Sequence, residues 1–322
     1  MHNNNYLKLI FLISKVLINI YFIGGVILNF SYKLGIDIGS TTIKLVVLDK
    51  DNQVVYKKYM RHLSEIYKSM HDNMILLSDT LKNHKFTCAI TGSAGMGMAN
   101  NLNMPFIQEV IACSKAVKNW IPQTDVAVEL GGEDAKITYF GSAPEQRMNG
   151  VCAGGTGSFI DHMASLLNTD AMGLNELAQK GTQIYTIASR CGVFAKTDVQ
   201  ALLNDGVSKA DIALSILQAV VNQTIGNLAQ GRPLEGNIAF LGGPLYFLTQ
   251  LKERFIKTLK LTDEHIVNVD DGCYFVAMGC ALSDNAIEMT YDELMQRLNN
   301  CSKSSTETES VAFTLFKNEQ EY

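Results

Sequence analysis

The stretch GIDIGSTTIKLVVLD, Gly35 to Asp49, sets one carboxylate inside an apolar run, then a turn of small residues, then a second apolar run. Short apolar runs bounded by Gly and Ser read as strands. The stretch therefore predicts a strand, a turn at Gly39-Ser40-Thr41-Thr42, and a strand. A turn of small residues presents backbone N–H groups as a concave nest for an anion. Glycine lets the chain come close to a ligand, and the three hydroxyls add donors. Asp37 stands at a strand end, where a carboxylate holds magnesium through water. One such turn is equally an ordinary hairpin, but the chain supplies a second. VELGGEDAK, Val128 to Lys136, sets Glu129 before Gly131-Gly132 at the same offset as Asp37 before Gly39. Two such hairpins facing across a cleft would clamp the β- and γ-phosphates of a nucleotide. No G-x-x-x-x-G-K-[ST] loop occurs, so the pattern is not a Walker loop.

Around these turns strands and helices alternate. Strands are predicted at Lys33–Gly39, Thr42–Asp49, Gln53–Met60 and Phe86–Gly92, and helices near Ser64–Lys82 and at Gln108–Trp120. Val126–Phe140 repeats the strand–turn–strand form. NIAFLGGPLYFL, Asn237 to Leu248, runs a strand through Gly242-Gly243 into a helix. This is an α/β chain, and 322 residues suffice for two lobes. A net charge of -5 without a basic block argues against a nucleic-acid partner. The seven cysteines are scattered and lack any C-x-x-C pair, which fits a reduced, cytoplasmic chain.

The ends differ from the middle. Leu9–Phe30 is apolar and long enough to cross a bilayer, but Lys15, Asn19 and Asn29 weaken it. It reads as a signal anchor, as an amphipathic or core helix, or as an extension upstream of the functional start at Tyr32. The last is our expectation, and membrane association is expected only through this segment. Residues 285–322 read as a polar tail or linker. The expected organisation is an extension at 1–31, a first lobe at 32–125 closed by a helix at 272–284, and a second lobe at 126–271.

The motif DIGSTTIK resembles the first phosphate motif of the sugar kinase and actin-like ATPases, and VELGGEDAK the second, with Glu129 where Asp is more usual. FLGGPL resembles their adenosine motif, and GCYFVAMGCALS, Gly272 to Ser283, their closing interdomain helix. The stretches NGVCAGGTGSFID, Asn149 to Asp161, and IASRCGVFAKTDVQALL, Ile187 to Leu203, narrow the resemblance to the activating ATPases of 2-hydroxyacyl-CoA dehydratases and benzoyl-CoA reductases. The resemblance runs from about Lys33 to Ser283. The tail FTLFKNEQEY is similar to the junction after the first module of large multi-module activators.

The resemblance implies a two-lobed actin-like fold with ribonuclease H-like lobes. Magnesium-ATP would lie between Gly39, Ser40, Thr41 and Thr42, then Gly131 and Gly132, and then Gly242 and Gly243. Asp37 and Glu129 would act beside the metal, and Glu133 or Asp134 would order magnesium or the attacking water. Lys44 would touch a phosphate or simply face solvent. The resemblance also implies one [4Fe–4S] cluster shared in a homodimer through Cys152 and Cys191. Cys152 stands just before Ala-Gly-Gly-Thr-Gly and Cys191 just before Gly192, each at or near a predicted helix start, where free N–H groups favour a thiolate. Its implied partners are a CoA-ester dehydratase or reductase and a low-potential donor such as ferredoxin or flavodoxin. Cys88, Cys113, Cys273 and Cys280 read as small core residues. Thr156 and Ser158 read as phosphate-side hydroxyls or helix caps, and Asp198 as a cap or ion-pair partner. His62, His71, His84, His162 and His265 show no ligand spacing. A small-molecule kinase of the same fold is the alternative; it needs an Asp base and not the two cysteines. A degenerate, non-catalytic module would lack intact phosphate motifs.

Overall fold

The computed structural model describes residues 32–149, 156–189 and 191–307. The first lobe opens with β1 (Tyr32–Ile38), β2 (Thr42–Leu48) and β3 (Val54–Arg61). It continues through α1 (Ile66–Leu76), α2 (Ser78–Leu81), β4 (Lys85–Thr91), α3 (Gly95–Asn101) and α4 (Glu109–Trp120). The second lobe has β5 (Val126–Leu130), β6 (Ala135–Tyr139), β7 (Glu145–Met148), α5 (Gly157–Leu166), α6 (Ala171–Gln179), α7 (Gly192–Asn204) and α8 (Lys209–Thr224). It ends with β8 (Ile238–Leu241), α9 (Gly243–Phe247), α10 (Thr249–Leu259) and β9 (Ile266–Val267). The chain then returns through α11 (Phe275–Ala281), β10 (Ile287–Thr290) and α12 (Tyr291–Glu307).

Each lobe is built on one five-stranded sheet, in the orders β10-β4-β1-β2-β3 and β7-β6-β5-β8-β9. In both, the lobe's first strand pairs antiparallel with its second and parallel with its fourth, and the second pairs antiparallel with the third. The lobes thus repeat one plan. Leu34, Ile36 and Ile38 on β1 and Val128 and Leu130 on β5 are fully buried, which is why these strands read as near-continuous apolar runs.

A separate apolar core fills each lobe, and a third lies between them. That third core is centred on α11, which packs against β1 and α4. A Cβ on Gly279 would stand 1.7 Å from the Ala112 carbonyl oxygen, so only glycine permits this approach. Among the described residues one helical stretch, Lys209–Ala229, is long and apolar enough to span a bilayer. It is mostly buried in the second lobe.

The expected polar tail differs from the structure. Residues 287–301 belong to the first lobe. β10 pairs antiparallel with β4, and Met289, Leu294 and Leu298 enter the first core. The helix expected over Ser64–Lys82 is shorter and is interrupted at Leu77, with Leu63 and Ser64 left-handed before it.

Candidate functional site

The two glycine turns meet at the cleft. In the first hairpin Asp37 stands opposite Lys44 in register; in the second Glu129 stands opposite Lys136. Gly39 N–H donates to the Thr42 carbonyl at 2.9 Å and Gly131 N–H to the Asp134 carbonyl at 2.8 Å, the same contact in each turn. The tips touch across the cleft: a Cβ on Gly132 would stand 2.2 Å from Thr41 Oγ1. Between the tips lies a narrow cavity of about 30 Å³. Asp37, Gly39, Ser40, Thr42 and Lys44 line it from the first hairpin, and Glu129, Gly131 and Gly132 from the second. Gly242 and Gly243 close it at the start of α9. Thr41 lines an adjoining, larger and more apolar cavity of about 230 Å³ with Tyr59, Met172, Pro244 and Phe247.

Lys44 does not face solvent. Its ammonium is buried 3.0 Å from Asp37 Oδ2. Burial would discharge it, but Asp37, helped by Tyr59 and Glu129, outweighs that and holds it protonated above the usual lysine range. Lys136 is 3% exposed and gathers carboxylates: Asp134 at 2.8 Å, Glu129 at 3.8 Å, and Glu109 in a direct hydrogen bond from the first lobe. Burial, offset only in part by Lys136, pushes the Glu129 carboxyl up to about 7, helped by Glu109, Asp134 and Asp37. Glu109 is raised for the same reason. Glu133, expected with Asp134 to order magnesium or the attacking water, is exposed and outside the lining; Asp134 takes the inward position and pairs with Lys136. Glu109, Lys136 and Ser93, to which the sequence reading assigns no role, also line the cavity, as does Cys273, read there as a small core residue. For Lys136 the signal existed: it follows Glu129 at the spacing of Lys44 after Asp37.

The second turn is tied to a helix. The Gly131 and Gly132 carbonyls accept from Gly157 N–H at 3.0 Å and Ser158 N–H at 2.7 Å, at the start of α5. Thr156 is the N-cap residue of that helix. Cys152 lies outside the described residues. Cys191 is the N-cap residue of α7 and only partly buried, and the next side chains but one, Val193 and Phe194, are exposed. Cys88, Cys113, Cys273 and Cys280 are buried, and burial raises each thiol, that of Cys273 to about 12. Asp198 accepts from Ala188 N–H at 2.7 Å, a structural contact. No group of three His, Cys, Asp or Glu among the described residues is arranged to ligate a metal directly.

Two lobes sharing one strand plan, with paired phosphate-type turns facing across a cleft, define the actin-like class of α/β ATPases. The fold matches that of the Acidaminococcus fermentans (R)-2-hydroxyglutaryl-CoA dehydratase component A with a TM-score of 0.65 at 25% identity, over 82% of this chain and 99% of that one. It also matches the Clostridium difficile activator of 2-hydroxyisocaproyl-CoA dehydratase, solved with bound ADPNP, with a TM-score of 0.65 at 22% identity, over 87% of this chain and 99% of that one. The chain belongs to the BadF/BadG/BcrA/BcrD ATPase family, whose signature matches residues 34–282. In sequence it is 29% identical over 225 residues to the (R)-2-hydroxyglutaryl-CoA dehydratase activating ATPase of Acidaminococcus fermentans, covering 66% of this chain and 82% of that protein.

Proposed function

We propose that this ATPase is an activator of a CoA-ester dehydratase or a related reductase, coupling ATP hydrolysis to low-potential electron delivery. The observation that carries the reading is the second turn: one element faces the cleft with Glu129 and Gly132 and is bonded on its back to α5. Phosphate chemistry at this turn would move the helix that follows Cys152. The relatives named as dehydratase activators support the partner class.

The triphosphate lies between the two turns, and the nucleoside extends past Gly243 into the larger cavity. Four cleft carboxylates, Asp37, Glu109, Glu129 and Asp134, against two lysines, Lys44 and Lys136, leave an excess of negative charge suited to a divalent cation. Such carboxylates would hold magnesium through water. Lys44 and the turn N–H groups would stabilise charge on the phosphates, and Asp37 and Glu129 would orient the metal's water shell. A kinase would need an uncommitted carboxylate base beside the γ-phosphate. Asp161, in the adjoining cavity, is held by Arg61 at 2.8 Å.

A [4Fe–4S] cluster needs four thiolates, which a homodimer would supply as Cys152 and Cys191 from each protomer. Cys191 fits the donor set: it is accessible, sits at a helix N-terminus and is flanked by exposed apolar residues suited to a protomer contact. When bound, the cluster would supply one-electron transfer, with ferredoxin or flavodoxin as donor. The cysteines of the described residues form no disulfide, which suits a reducing cytoplasm. Iron and acid-labile sulfide assays on anaerobically purified protein test the reading. Wild type should carry cluster as a dimer. Cys152→Ala and Cys191→Ala should each lack it while binding ATP, because each removes two of four ligands. A colourless wild type, or full iron in the Cys191 variant, overturns it.

A further inference from the structure

His62 sits behind the first phosphate turn. It follows Arg61 at the end of β3 and is 5% exposed. Its backbone N–H donates to the Thr41 carbonyl at 3.2 Å. Its ring Nε2 lies 3.1 Å from the Gly39 carbonyl oxygen. A carbonyl only accepts, so Nε2 carries the proton. Ser64 N–H meets Nδ1 at 3.1 Å, so Nδ1 accepts. Both contacts require the same neutral tautomer.

The chain turns sharply at the second contact. Leu63 and Ser64 are both left-handed, with φ of 48° and 66°, a conformation that residues other than glycine rarely adopt. The Leu63 side chain is 80% exposed, so no burial of that side chain accounts for the bend. The turn is closed by Glu65 N–H on the His62 carbonyl at 2.7 Å, and it also sets Ser64 N–H on the imidazole, which fixes the ring's orientation toward Gly39.

His62 therefore holds two carbonyls of the turn, Gly39 and Thr41. In a trans peptide the C=O and N–H of one unit point in opposite directions, and the described residues contain no cis bond. With these two carbonyls drawn back toward His62, the N–H groups of Ser40 and Thr42 point away from it. Ser40 and Thr42 line the cleft cavity. In the second turn the Gly131 and Gly132 carbonyls are drawn back by the start of α5. An imidazole does in one lobe what a helix N-terminus does in the other.

We propose that His62 is a positioning residue for the nucleotide's phosphates, presetting the first turn so that its N–H groups face the anion before it arrives. The inference rests on the phosphate-site reading above. Donors fixed in advance cost no ordering on binding. His62 itself touches no nucleotide.

The test compares His62→Leu with His62→Gln in the full chain, because a glutamine amide retains a donor near Nε2. His62→Leu should raise the Kd for magnesium-ADP and the KM for ATP about tenfold, the loss of roughly one hydrogen-bond's worth of preorganisation. Its kcat should change less than about threefold. His62→Gln should restore most of the affinity. If both variants lower the melting temperature alike while the folded protein keeps wild-type KM, the role is merely structural and the proposal falls. Long-range ¹H–¹⁵N spectra of the wild type give a check independent of either variant's folding: His62 should show the Nε2–H tautomer with and without ADP, and a proton on Nδ1 overturns the proposal. Asp37→Asn separates the two readings. If that variant turns over normally, the phosphate site itself is wrong; if it is inactive and His62→Leu binds ADP as wild type does, only the His62 inference fails.

Discussion

Asp37 and Lys44 are a buried pair on adjacent strands, one face of which borders the cleft. Asp37→Asn keeps an acceptor for the lysine but removes the charge proposed above to orient a cation. We expect a folded protein whose magnesium-dependent ATPase falls by about a hundredfold or more, in line with loss of one electrostatic element of a phosphoryl-transfer site; steady-state phosphate release measures it. Glu129 gives a pH signature. Its carboxyl is raised from the usual carboxylate range to about 7 in the folded protein. Between those values the folded state binds more protons than the unfolded state, so stability falls as pH rises toward 7. For nucleotide-free protein in chelator, the unfolding free energy from urea titrations should decline between pH 5 and pH 7.5, by on the order of 2 kcal/mol. Glu129→Gln should flatten that slope. The acid–glycine spacing of both turns was legible in the sequence because it occurs twice. Glu109 was not, because nothing local marks a residue at the start of α4 that reaches Lys136 only through the meeting of two lobes. Glu133 and Asp134 are neighbours with the same charge, and only the turn's geometry decides which faces inward.

At the scale of elements, the strands were legible because their apolar runs are bounded by small residues. The C-terminal elements were not. β10 is four residues long and α12 is mostly polar, so neither carries a strong apolar signal. Yet Tyr291, Leu294, Leu298 and Cys301 recur at helical spacing and are buried, and Tyr291 Oη donates to the Met74 carbonyl at 3.0 Å. Truncation after Asn285 should therefore cost several kcal/mol, since burying each of Met289, Leu294 and Leu298 contributes about 1.5–3 kcal/mol. Thermal unfolding of this truncation distinguishes an integral strand and helix from a linker. Gly279→Val tests α11 in the same assay. Its new side chain would meet backbone, not a movable side chain, so we expect a large loss of stability, about 3 kcal/mol or more.

Across the whole molecule the lobes are joined by the α11 core and by ion pairs over the cleft. Lys57 lies 2.5 Å from Asp271, Arg61 lies 2.8 Å from Asp161, and Lys136 bonds Glu109. The cavity between the turn tips holds only a water or two. On the phosphate site proposed above, a triphosphate needs more room, so the tips would part for it to enter. We expect nucleotide binding to change the interlobe distance, read by fluorescence transfer between labels on α1 and α10. Arg61→Ala should ease that opening while changing stability by less than about 1 kcal/mol, because the pair is exposed. Deleting residues 1–30 should leave a folded ATPase, since β1 begins at Tyr32; aggregation or loss of nucleotide binding would place that segment within the fold.

The return of β10 to the sheet of β1 also bears on how the protein is made. Every strand of the second sheet lies between Val126 and Val267, so that lobe is complete while translation continues. The first lobe begins earlier but has to wait. Until Ile287–Thr290 leave the ribosome, β4 keeps one open edge on the nascent chain, and open edges invite pairing with other chains. The lobe translated first is thus the last to close, and it is the one that a chaperone has reason to hold.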